Sequence, residues 1–426
     1  MGEKKENPVF DGATLSPKIQ PKPGVELSLP IGKTTPSGNA VARHYKHAAG
    51  KSSTYAPQVV DMIYHMSRHG SLDDGHIRQF VSAKLTAERD AQQQQQPVTW
   101  DQLVFLSANL TRLVIDPYRE KCNSQVKIGT ERPRPLVLDW PVVYDGIDFR
   151  RVHESVLEHI SAASVQAGLA VAVDAARASK SRRIIKIDLA DPLPPIGDAD
   201  AIEITAPLAE QLNCQTLAPS IEAARKETDG QIPIGIVAPA FNAERVVDET
   251  IGLDIDFYVS DAQWTCNQRP VDVLPELAAA PQLHVLADTI ERLRHHCREE
   301  SINVIYRGGI RSGADAGKAI CLGATAVALG LSAVISLGHK LTSVGDEAKL
   351  IALLAAKPLD ADEAATSVYN FTKSINMEVT MLARACGKTS VTNMEPEDLR
   401  ALTSEVSAAT GVPVAGKDYN FRHLDN

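Results

Sequence analysis

The stretch Val304-Ile-Tyr-Arg-Gly-Gly-Ile-Arg-Ser-Gly-Ala-Asp-Ala-Gly-Lys-Ala-Ile-Cys-Leu-Gly-Ala-Thr-Ala-Val-Ala-Leu-Gly330 decides how this chain folds. It reads as a buried strand (Asn303–Tyr306), a glycine turn, a helix, and a second apolar strand ending at Gly330. Gly308 and Gly309 lack a Cβ, so the backbone can turn sharply there and approach another group closely. The helix after Ser312-Gly313 points its free N–H groups and positive dipole end back at the turn, which favours an anion. A phosphate seat formed after two late strands is the usual ligand anchor of a (β/α)8 barrel. The same residues also suit a tight turn that binds nothing, and the motif alone leaves both readings open.

Working outward from this motif, strand and helix alternate from Pro141 onward, as in a parallel sheet. Candidate strands are Pro141–Tyr144, Leu169–Val173, Ile184–Ile187, Ala201–Ile204, Pro233–Val237, Asp256–Ser260, Ile302–Tyr306 and Thr325–Leu329. Helices such as Arg150–Ala167 and Gln282–Glu299 separate several of them. Eight strands in roughly 200 residues fit a TIM barrel at the short end of its range. The connections beside Ile184–Ile187 are short, so that strand is the weakest of the set. Short loops after the strands leave little room for a walled catalytic chamber.

The flanks differ in character. Residues 1–55 are rich in Pro, Gly, Ser and Lys without periodicity and read as an extended or flexible arm. Residues 56–140 form a helical attachment: Val59–Ser67 and His76–Glu88 have helical spacing, Gln92–Gln96 is a polar link, and a further helix starts at Asp101 with Leu103, Leu106 and Leu110 on its apolar face. The barrel takes residues 141–345. Residues 346–426 form a helical C-terminal extension, with Glu347–Ala356, a long amphipathic helix Asp362–Ala385 stopped by Gly387, and a last helix restarting at Glu395-Pro-Glu-Asp and ended by Gly411.

Composition narrows the function. A net charge of −9 argues against a nucleic-acid partner. The six cysteines are scattered without a C-x-x-C pair, so reduced thiols in a cytoplasmic protein are expected. The opening Met1-Gly-Glu-Lys-Lys-Glu has no apolar run behind it, so no signal peptide is expected. The uncharged run Ala319–Gly338 has membrane-crossing length but is broken by Gly323 and Gly330, and reads as a buried barrel segment. His295-His296-Cys297 has the composition of a metal cluster, but neighbours on a helix diverge by about 100° and read as solvated surface; no metal is expected. Asp188, Asp191 and Glu203 lie at strand ends and could form an acid pair or bind a divalent cation, with a loop signal at Asp191-Pro192 the plainer reading. No Ser-His-Asp or Cys-His arrangement stands out, and no residue is singled out as catalytic.

Three blocks together resemble the FMN-binding barrel subunit of the glutamate synthase family, most closely stand-alone forms such as the N-methylglutamate synthase FMN subunit. They are Trp100-Asp-Gln-Leu-Val-Phe-Leu-Ser-Ala-Asn-Leu through Pro117-Tyr-Arg-Glu-Lys-Cys-Asn to Thr130, the glycine motif, and Ala383-Arg-Ala-Cys-Gly-Lys-Thr through Thr403, closing at Val412-Pro-Val-Ala-Gly416. The resemblance covers Trp100 to about Gly416. It implies FMN in the barrel and electron transfer to 2-iminoglutarate. It also implies that Gly308, Gly309, Arg311 and Gly313, with Gly330, hold the FMN phosphate.

The sequence departs from the family elsewhere. The turn after the first strand reads Gly146-Ile-Asp-Phe-Arg-Arg151, placing Arg150 and Arg151 where small residues face the flavin; the family's central-strand lysine is Val237; and its glycine-rich loop keeps only Asp261 in Asp261-Ala-Gln-Trp-Thr-Cys-Asn267. Trp264 would fill the emptied space, or stack on a ligand. The iron–sulfur cysteines are missing, Cys386 being the one cysteine after the barrel. Such losses imply a degenerate homologue: a pseudoenzyme or partner-dependent subunit of a nitrogen-metabolism complex, working with a catalytic paralogue, an amidotransferase-type subunit or a further copy of itself. The alternative is an active FMN-dependent oxidoreductase of glutamate synthase type.

Overall fold

The computed structural model describes residues 54–55, 57–71, 99–108, 120–175, 180–277, 281–337, 354–355 and 361–416. The arm up to residue 53, the expected helix His76–Glu88, the glutamine run, Leu110 and most of Glu347–Ala356 lie outside the described residues. In chain order the elements are α1 (Pro57–His69), β1 (Leu103–Phe105), β2 (Val126–Ile128), β3 (Leu136–Leu138), β4 (Val142–Tyr144), α2 (Glu154–Ala167), β5 (Ala170–Asp174), β6 (Arg182–Asp188) and β7 (Ala201–Thr205). There follow α3 (Cys214–Glu227), β8 (Ile234–Pro239), α4 (Ala243–Thr250), β9 (Phe257–Asp261), α5 (His284–His295), β10 (Asn303–Arg307), α6 (Gly313–Cys321), β11 (Ala326–Leu329), α7 (Leu331–Ser336), α8 (Ala361–Ala385), β12 (Leu399–Ala401) and α9 (Ser404–Thr410).

Strands β4 to β11 close into one parallel barrel, β11 pairing with β4 through Val327–Val142 and Leu329–Tyr144. All eight expected strands are present. The one with the shortest connections, β6, is seven residues long and pairs with both neighbours along its length. The barrel is filled rather than hollow. A Cβ on Gly235 would lie 2.3 Å from the Phe257 ring, so the absence of a side chain on β8 is what admits that ring from β9.

A hairpin of β2 and β3 covers the N-terminal end of the barrel. At its turn the Gly129 N–H donates to Asn303 Oδ1 at 2.8 Å, and Gly129 lies so close to Pro233 that a Cβ would be 2.5 Å from it. Arg132 from the same turn pairs with Asp256 at 2.6 Å, and Arg225 reaches Asp256 from α3. Helix α8 runs along the outside with Val368, Phe371, Ile375 and Val379 fully buried, the apolar stripe expected of it.

Two short segments differ from expectation. Trp100–Gln102 is a single 3-10 turn, and Leu103–Phe105 is a strand rather than a helix, antiparallel to β12 with Leu103 opposite Ala401. Likewise Pro396–Asp398 is one turn before β12, and the last helix begins only after Thr403, whose hydroxyl accepts from the Val406 N–H. Among its described residues the C-terminal extension is therefore helical apart from turns and the strand β12. Both errors have one cause: each segment satisfies its backbone with a partner distant in sequence, which local periodicity cannot register.

Candidate functional site

The C-terminal ends of the strands meet in a layer of buried charge. Arg307, at the end of β10 and 7% exposed, reaches across the barrel to three carboxylates from three other strands. Its Nη1 pairs with Asp145 and, at 2.8 Å, with Glu203 Oε1; its Nη2 donates to Asp261 Oδ2 at 3.0 Å. Lys186 on β6 makes a second ion pair with Asp145. Strand alternation explains the convergence, because these side chains share the inward face of the closed sheet.

Burial penalises every charge here, and the balance of partners decides each one. Burial alone would raise Asp145, but Arg307 and Lys186 hold it well below the usual carboxylate range. Glu203 is raised instead, by burial and by its neighbour Asp145, with Arg307 compensating only in part. Burial opposes the charge on Arg307, yet Asp145, Asp261 and Glu203 keep it protonated far above its ordinary value. Three acids facing two cations leave one surplus negative charge, and Glu203 is the acid that takes a proton most readily. Gln263 Nε2 and Thr205 Oγ1, both buried at this end, have no hydrogen-bond partner among the described residues.

Beside this layer lies the glycine motif, with the expected strand, turn and helix. Its amides hold the chain's own carboxylates. Glu276, 3% exposed on the short turn Pro275–Leu277 after β9, accepts from Gly309 N at 3.2 Å and from Leu331 N at 3.1 Å. The hydroxyl of Tyr55 donates to the same carboxylate. Burial raises the Glu276 carboxyl even though these three donors pull it down. The start of α6 is taken by Glu378 from α8, whose carboxylate accepts from Gly313 N at 2.7 Å. Burial pushes Glu378 up to about 7.

Each residue assigned to a phosphate is thus engaged within the chain. Gly309, at φ +67°, could not carry a side chain without meeting Pro281 at 2.8 Å; a Cβ on Gly330 would lie 2.6 Å from Glu276 Oε1; and one on Gly313 would strike Glu378 and the Ile375 carbonyl. Gly308 packs on Ala262 and Gln263. Arg311 is held by carboxylates of the chain. It forks to both oxygens of Asp101 at 2.7 and 3.0 Å, bonds Asp315 through Nε at 2.8 Å, and reaches the Thr54 carbonyl. It ties the N-terminal segments to the barrel.

The other candidates fall into place around this core. Arg150 and Arg151 do not enter the mouth: Arg150 is exposed and paired with Asp148, and Arg151 donates to the Val271 carbonyl on the rim. Arg307 is the cation that fills the space, with no sequence signal beyond its place before two glycines. Val237 and Trp264 are fully buried. Asp188 pairs with Arg269, Asp191 is exposed, and Glu203 is inside, so the three do not share a site. His296 bonds Asp248 on the surface. Among the described residues no cluster of His, Cys, Asp or Glu is placed to hold a metal, and no helix is long and apolar enough to cross a membrane. Sequence reasoning missed Asp145, Lys186, Tyr55, Glu276 and Glu378, and nothing in Leu274-Pro-Glu-Leu marks Glu276.

FMN, which the resemblance implies, can be tested against these contacts. A phosphate and the Glu276 carboxylate cannot share the amides of Gly309 and Leu331. The cleft beside them is lined by Thr54, Trp100, Pro281 and Leu283 among others. In this arrangement Glu276 holds the two amides that an FMN phosphate would use.

The chain is similar to several known proteins. The profile of the FMN-dependent dehydrogenase family matches residues 147–343. A glutamate synthase large subunit-like protein of Rhizobium meliloti is 24% identical, covering 80% of this chain and 93% of that protein. An archaeal-type glutamate synthase [NADPH] of Dehalococcoides mccartyi is 22% identical over 75% of this chain and 79% of its own. Among solved structures, a mandelate oxidase is 16% identical with a TM-score of 0.48, covering 85% of this chain and 98% of that one. The flavin-binding domain of baker's yeast flavocytochrome b2 is also 16% identical, with a TM-score of 0.47 over 77% and 82%. The closed eight-strand sheet and the glycine motif after β10 make the chain a (β/α)8 barrel that is similar to glutamate synthase-type proteins and matches the FMN-dependent dehydrogenase profile over its barrel.

Proposed function

We propose that this chain is a non-catalytic member of the glutamate synthase family that works as a subunit beside a catalytic or amidotransferase-type partner, or in a homo-oligomer. The observation that carries the reading is the self-occupied seat: Gly309 N and Leu331 N both bond Glu276. The Arg307 cluster supports it, since a ring lying over the mouth would meet a closed layer of ion pairs. The described parts of the flanking blocks, which lie outside that chemistry, pack on each other and on the barrel: β1 and β12 pair with each other and Lys318 Nζ bonds the Trp100 carbonyl. Purification from the native source tests the reading. The expected result is a colourless protein that co-elutes with a second subunit or with itself and takes up no added FMN. Flavin bands at near-stoichiometric level would overturn it.

One observation favours a second reading, an FMN-dependent oxidoreductase of glutamate or a related amine. The dehydrogenase profile runs through the whole seat, from Ile147 past Gly330, and its backbone retains the turn a phosphate would use. On this reading Glu276 must leave the seat for the cofactor to enter. The same absorption spectrum separates the two.

A further inference from the structure

We infer that Glu276 is a resident stand-in for an external anion and that Tyr55 locks it in place, so that the barrel is held shut by its own chain. The inference deepens the self-occupied-seat reading above and rests on it. Two amides from the ends of two different strands converge on one side chain, each on a different oxygen: Gly309 N after β10 on Oε2, Leu331 N after β11 on Oε1. The side chain comes from a third place, the turn after β9. Gly330 gives the fit its tightness, since any Cβ there would meet Glu276 Oε1 at 2.6 Å. A fourth segment closes the arrangement, Tyr55 donating to Oε2 while Arg311 holds the preceding Thr54 carbonyl at 3.4 Å.

The choice of an acid is informative. Among the described residues Glu276 has no ion-pair partner; its ligands are three neutral donors. A buried carboxylate without a cation is an unfavourable way to fill space, and an apolar or amide side chain would serve packing alone at lower cost. Backbone amides aimed at one point form a concavity suited to a small anion. Glu276 meets that demand from within, with Tyr55 as the latch.

Thermal unfolding of the full chain tests this, with inorganic phosphate and formate as probes and chloride at equal ionic strength as control. Wild type should ignore both. Glu276→Ala should unfold several degrees lower and regain at least about 2 °C more from millimolar phosphate or formate than from chloride. Glu276→Gln, which still fills the seat, should be destabilised but not rescued. The lock is tested by Tyr55→Phe, which keeps the carboxylate: hydrogen exchange should quicken in peptides spanning Gly308–Ile310 and Leu331–Val334. A Glu276→Ala protein indifferent to both anions, or a wild type that responds equally, overturns the stand-in. Should Glu276→Ala fail to fold, unchanged exchange in Tyr55→Phe overturns the device. A colourless wild type whose Glu276→Ala variant ignores phosphate would sink the stand-in alone; a flavin-bearing wild type would sink the non-catalytic reading.

Discussion

The two ends of the barrel solve the same problem with opposite stoichiometry. At the N-terminal end Arg132 and Arg225 share Asp254 and Asp256, two cations for two acids, with Asp254 largely exposed. At the C-terminal end Arg307 alone answers three buried acids, with Lys186 helping at Asp145. The first arrangement is neutral, partly solvated, and closes the barrel under the hairpin. The second has a surplus acid, Glu203, and unpartnered polar atoms on Gln263 and Thr205. In (β/α)8 barrels chemistry sits at the C-terminal face. Here that face keeps the buried polarity of a site even though its own side chains fill it.

The largest expected effect would break this contrast at its centre. Arg307→Met should cost about 3–5 kcal/mol in denaturant unfolding, because it leaves three buried acids with Lys186 alone. Arg132→Met should cost roughly 1–2 kcal/mol, since its partners keep Arg225 and water. Equal losses would show that the two ends are energetically alike and remove the distinction.

The next effect is a pH dependence. Glu378 is raised to about 7 by burial at the start of α6. Because its folded value lies above its unfolded one, its contribution is fully present below about pH 4.5 and is lost as pH rises through about 7. Stability should therefore fall across that window by up to about 3 kcal/mol, and Glu378→Gln should flatten the slope. Glu203 and Glu276, also raised, act in the same direction, so part of the slope should survive the substitution. Asp145, held low, acts in the opposite sense, losing stability only as pH falls below the ordinary carboxylate range. An unchanged slope in Glu378→Gln would show that its carboxylate does not titrate there.

The smallest effect sharpens the boundary of the filled mouth. Arg150→Ala should change stability by less than about 1 kcal/mol, because its partner Asp148 is met at the surface. A large loss would move the rim into the buried layer and make Arg150 part of what closes it.

The architecture was legible in the chain because its signals are local. Apolar runs at strand spacing and a glycine-ended strand–turn–helix unit carry the same meaning wherever they pack, so all eight barrel strands, the long helix α8 and the position of the glycine motif could be read in order. The strands Leu103–Phe105 and Leu399–Ala401 could not, since each is three residues long and exists only because the other lies beside it. The site divides the same way. Sequence determined that Gly308, Gly309, Gly313 and Gly330 would build a concave turn lined with amides. Tertiary structure alone decided that Glu276, Tyr55 and Glu378 would occupy or flank it, and that Arg307 rather than Arg150 or Arg151 would cross the mouth. The physical reason is that a backbone turn is specified by its own residues, whereas the partner of a buried amide or cation is specified by barrel closure, which brings together carboxylates from strands and loops that no short stretch of sequence connects.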